Sequence, residues 1–229
     1  MKKSKWKKYT FEFLSIFIAV VSAFALANWS ENRNDKKSEQ KILTEIKNGI
    51  GIDTKDFQGN ISGHNLSLRA SSVFRDLINN KPISQDSIAI FYISLFRDYT
   101  PLINRSGYES LKESGLKIIT NDSLRLEIIT LYDYYYGIVE VLDNVNEMQS
   151  FENYFASVNK LMHPYMEFDA EGKLIRINEP KELSEIERKE IFSYLWRLEN
   201  NRKYKLGRYE SILKIMKKAR KNIEREIKQ

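Results

Sequence analysis

Apolar positions along this chain fall into two regimes. Residues 13–27 form one apolar run, interrupted only by Ser15 and Ser22, and from residue 42 onward apolar residues recur at helical spacings. A helix crossing the hydrocarbon core of a bilayer needs about 20 mostly apolar residues. The run alone is short, but its amphipathic ends extend it to residues 9–29, with Glu12 as the only charge. Trp6, Tyr9 and Trp29 then fall where interfacial aromatic residues belong. Trp6 and Trp29 are 23 residues apart, or about 34 Å at ~1.5 Å per residue, close to the core thickness. Both serines can hydrogen-bond to their own helix. Glu12 has two readings: a carboxylate reaching the interface among lysines, or a contact with another membrane helix.

Beyond the run, residues 30–41 contain no apolar side chain and no breaker, which predicts a polar helical stalk. Ile42, Leu43, Ile46 and Ile50 carry the helix into a body. Gly49 and Gly51 weaken that stripe, and Gly59 predicts its end. Leu66, Ala70, Val73 and Leu77 predict a second helix, closed by Asn79, Asn80 and Pro82. A third is expected over residues 84–98 and a short one over 106–114, ended by Gly115. Asn121 or Asp122 caps the next, which is expected to run to Leu161 as one helix of about 60 Å. Residues 165–180, around Gly172, read as a small β-hairpin. Ser184 and Glu187 match a capping box. The helix that follows either breaks near Asn200 and Asn201 or runs on to Ile227.

These elements define an all-α protein. A transmembrane helix (residues 9–29) follows a basic tail (1–8) and continues into a stalk (30–41), and a helical domain (42–229) completes the chain. An antiparallel hairpin of helices 122–162 and 184–228 is the expected core, with the β-hairpin at its tip. The five lysines of residues 2–8 face no acid, whereas the other flank is mixed. The positive-inside bias therefore places the N-terminus in the cytoplasm and the bulk outside. A cleaved signal peptide is the competing reading, with Ala25, Leu26 and Ala27 as the cleavage site, although no Pro or Gly breaks the helix there. Cysteine is absent, so disulfides and lipidation at cysteine are excluded.

The net charge of +6 is unevenly spread. Without the five leading lysines, 32 basic residues stand against 31 acidic, yet residues 200–229 alone hold 11 basic and 3 acidic. A basic C-terminal helix near an acidic body or an anionic surface follows. Nucleic acid is a poor partner for a domain outside the cytoplasm.

The membrane exit, Ala23-Phe24-Ala25-Leu26-Ala27-Asn28-Trp29-Ser30-Glu31-Asn32-Arg33, followed by Glu39, Ile42, Leu43 and Ile46, resembles a family of uncharacterised bacterial single-pass membrane proteins. Residues 108–115, with Ile118, Ile119, Thr120, Asn121, Leu124 and Arg125, carry a second similarity. Together these cover about a quarter of the chain. The resemblance implies an anchored helical protein of the bacterial inner membrane, and supplies no catalytic residues.

Candidate chemistry is sparse. His64 and His163 do not pair at helical spacing, so no metal site is expected, and no cofactor motif occurs. His163, at a helix end, reads as a partner of the helix dipole. Asp53 with Asp56, and Asp133 with Glu140, read as solvated helix faces. The aromatic cluster at 132–136 stands out. Tyr135 fits the core stripe and Tyr132 lies beside it, while Tyr134 and Tyr136 point elsewhere. Tyr132, Tyr134 and Tyr136 are either packing for neighbouring helices or an interaction surface. The expected role is a non-enzymatic, membrane-anchored scaffold that binds a protein partner or itself. The alternative is a ligand-sensing bundle acting through a membrane partner, with any small-molecule ligand unidentified.

Overall fold

The computed structural model describes residues 2–144 and 151–228, with the side chains of 9–142 and 155–228. The side chain of Trp6 and the expected passage of a helix through 145–150 lie outside these.

The chain is all-α apart from one two-stranded ribbon. Helix α1 (Lys2–Ile78) is followed by α2 (Ile88–Phe96), α3 (Ser106–Ser114), α4 (Asp122–Ile129), a π-helical segment (Thr130–Tyr135), α5 (Tyr136–Asn144), α6 (Phe151–Met162), β1 (Met166–Phe168), β2 (Leu174–Ile177) and α7 (Glu185–Ile227). Anchor, stalk and first body helices are thus one helix of 77 residues. Two separate body helices were expected, but Gly49, Gly51 and Gly59 do not interrupt α1. Tertiary packing along its length outweighs their weak helix propensity. Asn80 ends α1 in the left-handed region (φ 57°). Lys81 and Asn80 donate to the carbonyls of Asp76 and Leu77 at 2.9 Å each, closing a Schellman-type turn.

Helix α7 packs antiparallel along the body half of α1. Arg188 donates to the carbonyl of Ile78, Arg75 pairs with Glu199 at 2.8 Å, and Arg220 lies against Gly51. The expected hairpin of 122–162 with 184–228 is therefore corrected: the long hairpin is α1 with α7, and α4–α6 pack around it. The reason is length and spacing. On α7 the buried residues Leu195, Leu198, Arg202, Lys205, Tyr209, Ile212, Met216, Ala219 and Ile223 alternate by three and four, with Ile191, Asn201 and Leu206 buried beside them. On α1, Leu43, Ile50, Phe57, His64, Ser71 and Ile78 are buried every seventh residue. Two helices with this repeat seat side chains into each other's gaps over many turns.

Two apolar cores result. The stalk-side core joins Leu43, Ile46, Ile50 and Phe57 of α1 to Tyr108, Leu111, Leu131, Tyr132 and Tyr136, and to Tyr209, Met216 and Ile223 of α7. The distal core joins Phe74, Leu77, Ile88, Leu95, Met162, Ile177 and Ile191. The expected hairpin forms between β1 and β2, with Gly172 at φ 77° in its turn. The capping box also forms. Glu187 N–H donates to Ser184 Oγ at 3.3 Å, and Ser184 N–H donates to Glu187 Oε2 at 2.8 Å. Helix α7 then runs unbroken past Asn200 and Asn201.

Helix α3 lies so close to α1 that a Cβ on Gly107 would come within 2.7 Å of the Ile46 backbone nitrogen. Gly107→Ala should therefore lower stability by about 1–3 kcal/mol through overpacking. A Cβ on Gly137 meets nothing within 4 Å, so Gly137→Ala should be neutral or stabilising by up to ~1 kcal/mol. Urea unfolding in detergent, followed by circular dichroism, checks both.

Candidate functional site

The polar groups buried deepest in the bundle lie between the two cores, where α7 presents charge to α1. Arg202 and Lys205 are 1% and 0% exposed and occupy consecutive seam positions among apolar ones. The ammonium of Lys205 holds Asp98 at 3.0 and 3.2 Å. Arg202 donates through Nη2 to the carbonyls of Leu95 and Arg97 at 3.2 and 2.7 Å, satisfying the end of α2. Its guanidinium also lies over the ring of Tyr99, 5.6 Å from the centroid.

Arg202 Nη1 lies 3.1 Å from His64 Nδ1. A guanidinium has no acceptor, so His64 accepts and is the neutral Nε2–H tautomer. Burial, then the charges of Arg202 and Lys205, depress His64 to about pH 3. Burial pushes the Asp98 carboxyl up, but Lys205 and the Tyr99 N–H outweigh it, so it lies below the usual range. Burial also lowers the Arg202 guanidinium.

A second buried network lies one layer toward the stalk. Asp53 is fully buried; it accepts the Asn104 N–H at 2.8 Å and the Tyr136 hydroxyl at 2.9 Å. Tyr136 meets Tyr132 edge-on at 5.0 Å, and Tyr132 stacks on Tyr108 at 4.5 Å. Tyr108 donates to Asp133 at 2.8 Å. Burial raises all three tyrosines, and Asp53 adds to the effect at Tyr132 and Tyr136. Burial raises Asp53 to about 6, against hydrogen bonds from Asn104 and Tyr136. Asp56, one turn along α1, accepts the Leu102 N–H at 2.7 Å. Asp53, Asp56 and Asp98 together tie the segment between α2 and α3 to the α1–α7 pair.

The expected placements divide accordingly. Tyr132 and Tyr136 are core residues, 1% and 0% exposed, and Tyr134 is 60% exposed. Of the three, only Tyr134 belongs to a surface. The π-helical turn explains this: its extra residue rotates Tyr136 inward with Tyr132, leaving Tyr135 at the core margin. Asp53 is not on a solvated face. His163 Nδ1 lies 3.1 Å from the Asn159 carbonyl, as a helix-end group does.

Along the apolar stretch of α1 and its ends, Tyr9, Glu12 and Trp29 are exposed on the helix surface. Arg33 lies over the Trp29 ring at 5.5 Å, and Ser15 Oγ donates to the Glu12 carbonyl at 2.9 Å. No part of the apolar stretch is buried within the protein, and its helix is long and apolar enough to cross a membrane. Among the described residues, no group of three or more His, Asp or Glu is placed to hold a metal ion.

Sequence reasoning singled out neither Arg202 nor Lys205, and weighed His64 only as a metal ligand. The signal was present in the heptad spacing: a cation at a seam position predicts a buried partner. No model of a known protein family matches this chain significantly, and neither does any characterised protein or solved structure.

Asp53 supplies a pH test. Its folded-state pKa of about 6 lies above the ordinary 3.8, so its stabilising effect is complete below pH 4 and lost as pH rises through 6. Relative to Asp53→Asn, the wild type should gain on the order of 2–3 kcal/mol between pH 6.5 and 4. His64 acts in the opposite sense: its stabilisation is present above pH 6.5 and lost as pH falls toward 3. Both proteins share that term, so their difference isolates Asp53. A difference independent of pH would contradict the assignment.

Proposed function

We propose that this protein is a non-enzymatic scaffold anchored by a single helix in the bacterial inner membrane, with its N-terminus in the cytoplasm and the helical body outside. The observation that carries the reading is the continuity of α1. One helix is apolar and uncovered over residues 13–27, polar over 30–38, and fully engaged in the bundle from residue 39 onward. A helix apolar all round needs an apolar environment, and here that environment is lipid. Because no joint separates anchor from body, the membrane holds the domain at a defined height.

Further support comes from the buried ionisable groups. Lys205 is taken up by Asp98, Arg202 by His64 and two carbonyls, and Asp53 by Tyr136 and the Asn104 N–H, in the manner of braces. A depression of about 670 Å³ on the body is an open groove between α4 and α7, where Glu127 and Glu226 are held by Asn222 and Asn121 at 2.7 Å each. Lysines in residues 2–8, the exit signature at Trp29, Glu31 and Arg33, and the exposed Tyr134 complete the reading. The binding partner is a protein, a second copy of this chain included.

Topology and partnership are tested separately. A C-terminal reporter active only outside the cytoplasm should be active, and one active only inside should be silent. The reverse would overturn the orientation. Crosslinking in native membranes should yield a specific homo- or hetero-oligomer through the body. A species that stays monomeric at all crosslinker concentrations would sink the scaffold reading.

A further inference from the structure

Antiparallel packing brings the C-terminal end of α7 back toward the anchor, and that end is strongly basic. Residues 214–228 carry seven basic side chains and two acidic. All seven (Lys214, Lys217, Lys218, Arg220, Lys221, Arg225 and Lys228) are exposed. Among the described residues, their only ion pair is Lys218 with Glu127 at 3.7 Å. The stalk beside them adds little net charge, since Arg33, Lys36, Lys37 and Lys41 are offset by Glu31, Asp35 and Glu39.

Contacts fix the height of this end. Asn121 donates to Glu226 at 2.7 Å, and the neighbouring Thr120 donates to Glu39 of α1 at 2.8 Å. Glu226 also shares a groove with Asn32, Asp35, Lys36 and Glu39. The end of α7 is therefore level with the stalk near residue 39, ten residues beyond Trp29, or about 15 Å along the helix. Headgroups extend roughly 5–7 Å beyond the hydrocarbon edge. For Arg225 and Lys228 the long side-chain stems shorten what remains, and the residual gap lies within the ~8–10 Å Debye length, whereas Lys214, Lys217 and Lys218 lie about 12–18 Å farther along α7.

We infer that the basic C-terminal end of α7 docks on anionic lipid headgroups of the leaflet from which the stalk emerges. The inference rests on the membrane-anchored reading and adds a second attachment to it. One attachment is apolar, through α1; the other is electrostatic, through α7, and sensitive to lipid charge and salt. Two attachments on antiparallel helices would fix the tilt of the body as well as its height. The face that Tyr134 presents to a partner would then be set by lipid composition.

The test uses the full chain in vesicles. Since the protein has no cysteine, Lys228→Cys provides a single labelling site, and Lys173→Cys, on the distal hairpin, provides a control. Each carries a fluorophore, and the vesicles carry a headgroup quencher. The lipids are phosphatidylcholine alone or mixed with phosphatidylglycerol. Quenching at position 228 should increase with phosphatidylglycerol and fall in high salt, while position 173 stays unquenched. Replacing Lys221 and Arg225 by Gln should abolish the increase with helicity unchanged. Equal quenching in both lipids, with the protein retained after alkaline extraction, would overturn this inference alone; that result would direct the basic patch to an acidic protein instead. Loss of the protein on alkaline extraction from both lipids would overturn the anchored reading and this inference with it.

Discussion

Everything in this protein hangs on the seam between α1 and α7. Most of the stability of a helix in a protein comes from tertiary packing and not from its own hydrogen bonds, and the body half of α1 gains its order that way. Helix α7 supplies that packing over some forty residues, in heptad spacing on both sides. The shorter helices do not form a second nucleus. They fill the flanks of the seam, α2 and α6 at its distal end, and α3 to α5 at the stalk end. Since the same α1 extends into the apolar run, the seam also determines how the body is held relative to that run.

The seam is not uniformly apolar, and its one charged layer has a specific consequence. Lys205, Arg202 and His64 sit where the two cores meet; Asp98 accepts from Lys205, and the carbonyls of Leu95 and Arg97 and His64 Nδ1 accept from Arg202. Buried charge is weak evidence for stability, because desolvation offsets much of the attraction. Its effect is on register. If α7 slid by one heptad, Lys205 would be buried without Asp98, and Arg202 would lose the carbonyls of Leu95 and Arg97. Uncompensated burial of a charge costs several kcal/mol, more than a shifted apolar contact. The layer therefore fixes which turn of α7 faces which turn of α1, and so the height at which the basic end of α7 stops.

Much of this architecture was legible from local pattern. Gly115, Asn121, Ser184 with Glu187, and Gly172 each end or begin an element by chemistry confined to a few residues. The apolar run, its aromatic flanks and the polar stalk are equally local. Legibility failed where a distant partner decided the outcome. Gly49 looks like a breaker until Asn104 is seen lying against it, where an added Cβ would come within 3.2 Å of the amide oxygen. Asp53 has the spacing of a solvated face until Asn104 and Tyr136 are brought to it from segments 51 and 83 residues away. A π turn cannot be read from the tyrosine run, because helical spacing assumes a constant rotation per residue.

By itself, then, the sequence determined an all-α chain, one segment apolar enough for a bilayer, a stalk, and the ends of most elements. Periodicity and capping are set by neighbours in the chain, so no tertiary knowledge is needed to read them. Only the tertiary structure decided that α1 is one helix, that α7 pairs with α1 instead of with the helices at 122–162, and that Tyr136, Asp53, Arg202 and Lys205 are inside. Those outcomes depend on which of several compatible apolar stripes meet and on whether each buried polar group finds its complement. Such choices involve residues far apart in the chain, and no local pattern contains them.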